Sequence, residues 1–420
     1  MVFERTLPCG LRLVGEPNPQ SHSVCLGLWV KAGSVMETPE ENGLSHFIEH
    51  MLFKGTDRRS AQDIAIEMDS VGGNLNAYTT KECTCYYAKV VDDDLPLAAD
   101  ILLDMVFHSR MAPSDLELER TVVLEEIAMI EDVPEDYCQD LLAEAHFSGH
   151  PLSQQIIGTE VNLRRFARED LQGFMDRYYR PGDMVLSVVG NFDFEDLARL
   201  VEARLPQDHG GHAHHVVPAF TQQPPQILIQ EKDIEQVHLT LGFPGVSQLS
   251  PDLYPLLVLN NMLGGGMSSR LFQRIREERG LAYSVYAYPA TYVDCGMYGL
   301  YVGTNNANLE QVVDLIRAEC RALRAGDFSD EELQRAISQL KGNYILGLES
   351  SSSRMSALGR GRLLYGRILE VQDVLDAIKA VRREDVLRVA QQVLTSRNMS
   401  AALVGPVERP EAIRARIQGK

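Results

Sequence analysis

Nowhere in the 420 residues do about 18 consecutive apolar residues occur, the length a helix needs to cross a bilayer, so no helical membrane span is expected. Basic residues are outnumbered: 40 Lys and Arg against 59 Asp and Glu leave a formal net charge of −19, opposite in sign to the footprint of a nucleic-acid binder. Such a surface favours cationic partners. The seven cysteines (Cys9, Cys25, Cys83, Cys85, Cys138, Cys295 and Cys320) are odd in number, scattered and without a C-x-x-C pair. They read as reduced thiols in a cytoplasmic protein. No basic stretch leading into an apolar one, and no Arg- and Ser-rich amphipathic leader, precedes the first strand pattern, so no secretory or organellar address is expected. What is present, 45% hydrophobic and 24% charged residues, excludes fibrous, collagen-like and disordered classes and leaves length for two or three cores.

Residues 11–14 and 24–30 are apolar and β-rich, 44–53 carry helical periodicity, and 76–91 are strand-like and crowded with Thr, Tyr and Cys. Cys83 and Cys85 fall on one face of that run and are expected to pack inside. Helical stretches start at Ala61, Leu95 and Ser114, and 184–189 form the next strand. Between 205 and 226, Pro206, Gly210, Gly211, Pro218, Pro224 and Pro225 interrupt any period, the composition of a linker. His209, His212, His214 and His215 cluster there; such a tract can bind metal, and a flexible connector with incidental histidines is the plainer account.

The linker nearly halves the chain, and the halves match. Arg168-Glu169-Asp170-Leu171 returns as Arg383-Glu384-Asp385-Val386, and the run from Asp183 to Gly190 returns from Asn398 to Gly405, both at an offset of 215. Glu49-His50-Met51-Leu52 lines up with Asn260-Asn261-Met262-Leu263, and 25–30 with 237–243. The expectation is a duplicated α+β domain: residues 1–205, a linker at 206–226, and 227–420. Polar chemistry at Glu49 and His50 has become two amides in the second copy.

His46-Phe47-Ile48-Glu49-His50 lies in a helical pattern with Gly55 expected as the stop. Positions 46, 49, 50 and 53 share one helix face, so two imidazoles one turn apart can grip a cation with a carboxylate beside them. That is the H-x-x-E-H order of inverted zinc peptidases. A third ligand is available on the helix opened by Ser114-Asp115-Leu116-Glu117, a capping-box pattern. Glu119 and Glu126, seven apart, differ by about 20° around it, and stacked carboxylates on an otherwise apolar helix are costly to bury without a cation. Spacing alone leaves Glu125 open as well.

His46 to His50, the Glu119 and Glu126 pair, and Gly72-Gly73-Asn74-Leu75-Asn76-Ala77-Tyr78-Thr79 together resemble the pitrilysin or insulinase family of zinc metallopeptidases. The nearest branch is that of two-domain processing peptidases, which includes the catalytic subunit of mitochondrial processing peptidase and its bacterial relatives. The resemblance covers the whole chain. It implies two homologous domains, each a mostly antiparallel sheet covered by helices, joined into half of a clamshell. It further implies one Zn2+ per chain held by His46, His50 and Glu126, Glu49 as general base, and Glu119 orienting a ligand. Asn76 and Ala77 match the edge strand that captures substrate as an added β-strand.

In the second half, Gly264-Gly265-Gly266 lacks the phosphate-loop pattern and reads as a turn. Arg276 and Tyr283 match the family's carbonyl clamp, suited to stabilise an oxyanion, with Arg274 and Arg279 separated from Arg276 only by spacing. In two-domain relatives that pair serves the zinc site of the partner subunit, so a homodimer enclosing a peptide chamber is expected. The activity implied is endopeptidase cleavage of unfolded or presequence-like peptides, with basic ones favoured by the charge. The alternative is a non-catalytic binding subunit of the same fold. His146 and His150, four apart beside Ser148, Gly149 and Pro151, read as loop residues rather than a second metal site, His108 as a helix end, and Tyr86, Tyr87, Tyr286 and Tyr288 as packing aromatics.

Overall fold

The computed structural model describes residues 1–205, 211–213 and 217–419; Pro206, His209, Gly210, His214 and His215 of the expected linker lie outside the described residues. The chain forms two compact units, the first from Met1–Ile127, Gln154–Val217 and Leu346–Leu369, the second from Ala128–Ser153, Pro218–Ile345 and Glu370–Lys420.

The first unit is built on β1 (Phe3–Thr6), β2 (Arg12–Pro17), β3 (Ser23–Val30), β4 (Asn74–Thr79), β5 (Thr84–Val91) and β6 (Met184–Gly190), in one sheet of order β1-β2-β6-β3-β5-β4. β2 and β6 run parallel and every other neighbouring pair antiparallel. The second unit has β7 (Ile227–Gln230), β8 (Val237–Pro244), β9 (Ala282–Thr291), β10 (Gly296–Thr304) and β11 (Ser400–Val404), ordered β7-β11-β8-β10-β9, with β7 parallel to β11 and the rest antiparallel. With β1 set aside, the two orders are the same and the single parallel pair falls in the same place. β6 and β11, like β3 and β8, are the strands of the sequence repeat. Each unit is thus a mostly antiparallel sheet of one α+β fold.

The helices are α1 (Leu44–Leu52), α2 (Ala61–Ser70), α3 (Leu95–His108), α4 (Pro113–Asp132), α5 (Pro134–His146), α6 (Glu160–Arg165), α7 (Arg168–Tyr178), α8 (Phe194–Glu202), α9 (Leu253–Leu263), α10 (Leu309–Arg324), α11 (Asp330–Leu348), α12 (Ser351–Leu364), α13 (Val371–Ala380), α14 (Arg383–Val393) and α15 (Pro410–Gln418). β3 and β6 are buried almost throughout, as strands covered on both faces must be, and they read as continuous apolar runs rather than alternating ones. α12 lies against β3 and β6, and α5 against β8 and β11, so each sheet takes a covering helix from the other half of the sequence.

His146 departs from the loop expectation: α5 runs through to it, and the helix-breaking Gly149 and Pro151 act only beyond. Its ring is buried beside Phe147 and Phe220, while His150 Nε2 lies 2.8 Å from the Pro218 carbonyl. Tyr86 packs inside as expected, whereas Tyr286 donates to Glu135 Oε1 at 2.7 Å.

The seat of α12 is specific. Trp29 Nε1 donates to Ser187 Oγ at 2.9 Å, and Ser187 Oγ donates to the Met355 carbonyl at 3.0 Å. Gly359 is where the helix meets the indole: a Cβ there would stand 2.0 Å from Trp29 Nε1. Alanine at this helical position gains about 1 kcal/mol of propensity, but overpacking a filled core costs about 3 kcal/mol. Gly359→Ala is therefore expected to destabilise the protein by about 2 kcal/mol, read as a lower thermal or denaturant midpoint; an unchanged midpoint would contradict this packing.

Candidate metal centre

α1 is fixed at its start by a buried carboxylate. Glu37 Oε2 accepts from the Gly43 N–H at 2.8 Å and Oε1 from the Ser45 N–H at 2.7 Å, while Asn42 Nδ2 donates to Oε2 at 3.0 Å. A carboxylate at a helix N-terminus satisfies otherwise orphaned donors and complements the helix dipole. Burial nevertheless pushes the Glu37 pKa up, against those hydrogen bonds. Gly43 has φ +107° and lies so close to Gly158 that a Cβ on Gly158 would stand 2.5 Å from Gly43 Cα. With Leu44, Phe47, Ile48, Met51 and Leu52 buried, His46, Glu49 and His50 are left on the open face. The helix ends at Leu52, ahead of the stop expected at Gly55; Gly55, φ +115°, instead shapes the loop that follows.

α4 begins at Pro113, one residue before the expected Ser114, since proline's fixed φ and missing N–H suit a first helical turn. Glu119 and Val123 turn inward while Leu118 is 64% and Val122 46% exposed, so the buried face of α4 is less apolar than its sequence suggests. Glu126 is half-buried on the inward side and Glu125 is exposed.

Three donors converge. His46 Nε2 lies 3.7 Å and His50 Nε2 3.4 Å from Glu126 Oε2, and one ligand atom from each residue falls within 4.8 Å of the others. Zinc bonds of ~2.0–2.1 Å in a tetrahedral site place neighbouring donors about 3.4 Å apart, so this imidazole, imidazole and carboxylate set fits a zinc ion. His50 Nδ1 is 2.9 Å from Glu119 Oε1; donating there, it turns Nε2 toward Glu126, and Nε2 becomes the metal-binding atom once its proton is lost, the arrangement that orients metal-ligating histidines. Lys54 Nζ pairs with Glu119 Oε2.

The titrations follow from these contacts. Burial, together with the charge on His50, pushes His46 down to about 4. Burial also disfavours charge on His50, but Glu119 and Glu126 outweigh it and push His50 up to about 9. The hydrogen bond from His50 holds the Glu126 carboxyl low. Burial works against ionised Glu119, yet His50 and Lys54 keep it below the usual range. Burial raises Glu49, whose Oε2 accepts from Thr79 Oγ1 at 2.5 Å. Glu37, Lys54 and Thr79 are beyond the reach of sequence spacing, because each meets the site through a tertiary contact that no period encodes; Thr79 ends the Gly72 to Thr79 run that resembles the family, where its contact with Glu49 has no signal of its own.

Asn76 and Ala77 lie on β4, the edge strand of the first sheet, and Asn76 Oδ1 accepts from the Ala77 N–H at 2.8 Å. In the second unit Arg276, on the π-helical segment Phe272–Glu277, stacks 4.4 Å from the Tyr283 ring centroid and donates to the Tyr283 carbonyl at 3.0 Å. Tyr283 is 77% exposed.

The loop between α1 and α2 is tied to α3 by an ionic knot. Arg59 donates to Asp100 Oδ2 at 2.6 Å and Asp104 Oδ2 at 2.8 Å, Arg58 Nε to Asp104 Oδ1 at 3.0 Å, and Arg204 Nε to Asp100 Oδ1 at 2.7 Å. Burial opposes ionisation of Asp100, but Arg59, Arg204 and Arg58 hold it down at about 2. A carboxylate with a lowered folded-state pKa contributes stability that is complete above its unfolded value near 4 and lost as pH falls toward 2. Asp100→Asn should cost about 2 kcal/mol at pH 7, with the difference from wild type shrinking between pH 4 and 2 in thermal unfolding; parallel pH curves would contradict it.

Comparison with known proteins agrees with this architecture. A family model described as insulinase (peptidase family M16) matches residues 12–160, and one described as the peptidase M16 inactive domain matches residues 165–340. A Bacillus subtilis protein named uncharacterized zinc protease YmxG is 42% identical over 97% of this chain and 98% of its own. A Streptomyces coelicolor protein, also named an uncharacterized zinc protease, is 39% identical over 98% of this chain and 91% of its own. Among solved structures, a protease from Helicobacter pylori matches with TM-score 0.89 at 21% identity, covering 97% of this chain and 99% of that one. The peptidase M16 inactive domain from Pseudomonas fluorescens gives 0.88 at 19%, covering 97% and 98%; these two establish the shared fold. The chain therefore belongs to the insulinase family of M16 peptidases, with two homologous domains.

Proposed function

We propose that the protein is a zinc-dependent endopeptidase that hydrolyses unfolded peptides or presequence-like segments. The observation that carries this reading is the convergence of His46 Nε2, His50 Nε2 and Glu126 Oε2 with the Glu49 carboxylate on the same face of α1. The names of the relatives as zinc proteases support zinc as the metal, and one such donor set among the described residues supports one ion. Bound there, zinc supplies Lewis-acid chemistry that polarises a carbonyl and makes water acidic near neutral pH.

The chain's own residues do the rest. Glu49 takes the proton of the attacking water and passes it to the leaving amine; its upward-shifted pKa suits a base that must also return the proton. Thr79 occupies Oε2, which leaves Oε1 for that transfer. β4 receives the peptide as an added strand, a peptide carbonyl replacing Asn76 Oδ1 on the Ala77 N–H. Arg276 and Tyr283 act as donors to the carbonyl oxygen as it gains charge, each pair serving the partner protomer of a homodimer. The net charge of −19 supports a preference for basic peptides. The competing reading, a binding subunit without chemistry, draws on the inactive-domain match, which begins at residue 165, beyond the donor set.

The deciding experiment profiles cleavage of a diverse peptide library by the zinc-loaded protein, with chelated and Glu49→Gln controls. Cleavage enriched at Arg- or Lys-bearing peptides, abolished by chelation and reduced about 10²–10⁴-fold in Glu49→Gln at unchanged zinc content, is the expected result. Near wild-type turnover in that variant would overturn the role of Glu49, and intact library with zinc-loaded wild type would overturn the peptidase reading. The shared site has its own test: equal mixtures of Glu49→Gln and Arg276→Ala protein, each inactive alone, should recover about a quarter of wild-type turnover through mixed dimers. No recovery would remove the partner role of Arg276.

A further inference from the structure

Glu49 is held from outside its own helix. Thr79, the last residue of β4, brings two donors to one carboxylate: Oγ1 at 2.5 Å from Oε2, and its backbone N–H, both favouring the ionised form against burial. The hydroxyl is itself backed. Thr79 pairs with Thr84 across the β4–β5 ladder, and Thr84 Oγ1 lies 3.3 Å from Thr79 Oγ1 while donating to the Ala32 carbonyl at 2.9 Å. Behind Thr84, the phenols of Tyr179 and Tyr86 meet at 2.9 Å in the buried interior. An ionised carboxylate is acceptor-only. Because Thr84 has spent its single hydrogen on Ala32, of the two hydroxyls it is that of Thr79 that donates to Oε2.

β4 is also the edge strand. A residue that grips Glu49 at the end of that strand makes the register of the strand and the rotamer of the base one mechanical unit.

We propose that Thr79 is the positioning residue for Glu49, fixing which carboxylate oxygen faces the reacting water and linking that orientation to the edge strand on which the peptide lies. This inference rests on the peptidase reading. Positioning of a base acts on the chemical step, because a small misplacement is felt in the transition state far more than in ground-state binding.

The test compares wild type, Thr79→Val and Thr79→Ser, all zinc-loaded, on an internally quenched, Arg-containing unstructured peptide. Valine keeps the β-branched shape and the backbone N–H but lacks the hydroxyl; serine restores the hydroxyl. Thr79→Val is expected to lower kcat about 10–100-fold with KM within about 2-fold, and Thr79→Ser to recover kcat to within about 3-fold of wild type. Zinc content and thermal midpoint of the serine variant should equal wild type, and a crystal structure of the valine variant should show the Glu49 carboxylate rotated from its wild-type rotamer. Wild-type kcat in Thr79→Val, or serine as impaired as valine, would overturn the positioning role while leaving the peptidase reading intact. Absence of cleavage by zinc-loaded wild type would instead overturn that reading and this inference with it.

Discussion

The pairing of carboxylates with cations between α1 and α4 is the constraint on which the first unit depends. Glu49, Glu119 and Glu126 bring three negative charges into a partly closed space, and Lys54 answers one of them through Glu119. Without a metal ion, the proton that His50 retains up to about 9 supplies a second positive charge. A divalent cation in place of that proton brings the five groups to neutrality. The site is therefore built to lose a proton and accept an ion, and the low pKa of His46 already presents one imbalance-free, neutral donor. Burying such groups is tolerable only when each is paired, which ties the stability of this corner to the same contacts that shape its chemistry.

The geometry of those contacts is set from both ends of α1. Glu37 and the Gly43–Gly158 approach fix where the helix starts, and the knot of Arg58, Arg59, Asp100, Asp104 and Arg204 fixes the chain that leaves it. Between the exit of α1 and β4 lie only this loop and α2, so the knot also governs where the strand that carries Thr79 begins. Buried carboxylates thus anchor both ends of the helix that carries Glu49: Glu37 at its start, and Asp100 and Asp104 of α3 through the arginines of the loop that follows it.

Much of this was legible in the sequence because it is local or periodic. The i, i+4 histidines and the Glu119 to Glu126 spacing are helical geometry, and the offset of 215 between repeats reappears in the matched strand orders. What was not legible is long-range. Glu37 capping a helix six residues on, Lys54 reaching Glu119, and Thr79 meeting Glu49 are tertiary facts with no period. The apolar residues of α4 do not mark its inner side for a related reason: Leu118 and Val122 are exposed, whereas Glu119 and Glu126 lie on the inward side beside Val123. At His146 the breakers were recognised but placed too early, since a helix can run to its last buried residue before glycine or proline acts.

The second copy shows what the fold does when the charges are withdrawn. Where His50 stands in the repeat, α9 carries Asn261, whose Nδ2 donates to the Ala336 carbonyl of α11 at 3.2 Å. A neutral amide bonded to a helix backbone does the bridging that, in the first copy, takes an imidazole, two carboxylates and a lysine. Such a bond is worth about 1 kcal/mol and leaves no buried charge to neutralise. Stability alone would favour the amide in both copies. The ionisable set persists in one copy despite its desolvation cost, whereas the second copy holds Arg276 over an exposed Tyr283. The asymmetry between two copies of one fold, rather than either copy alone, is what sets the copy that carries the imidazole and carboxylate donor set apart from the copy in which amides stand at the matching positions.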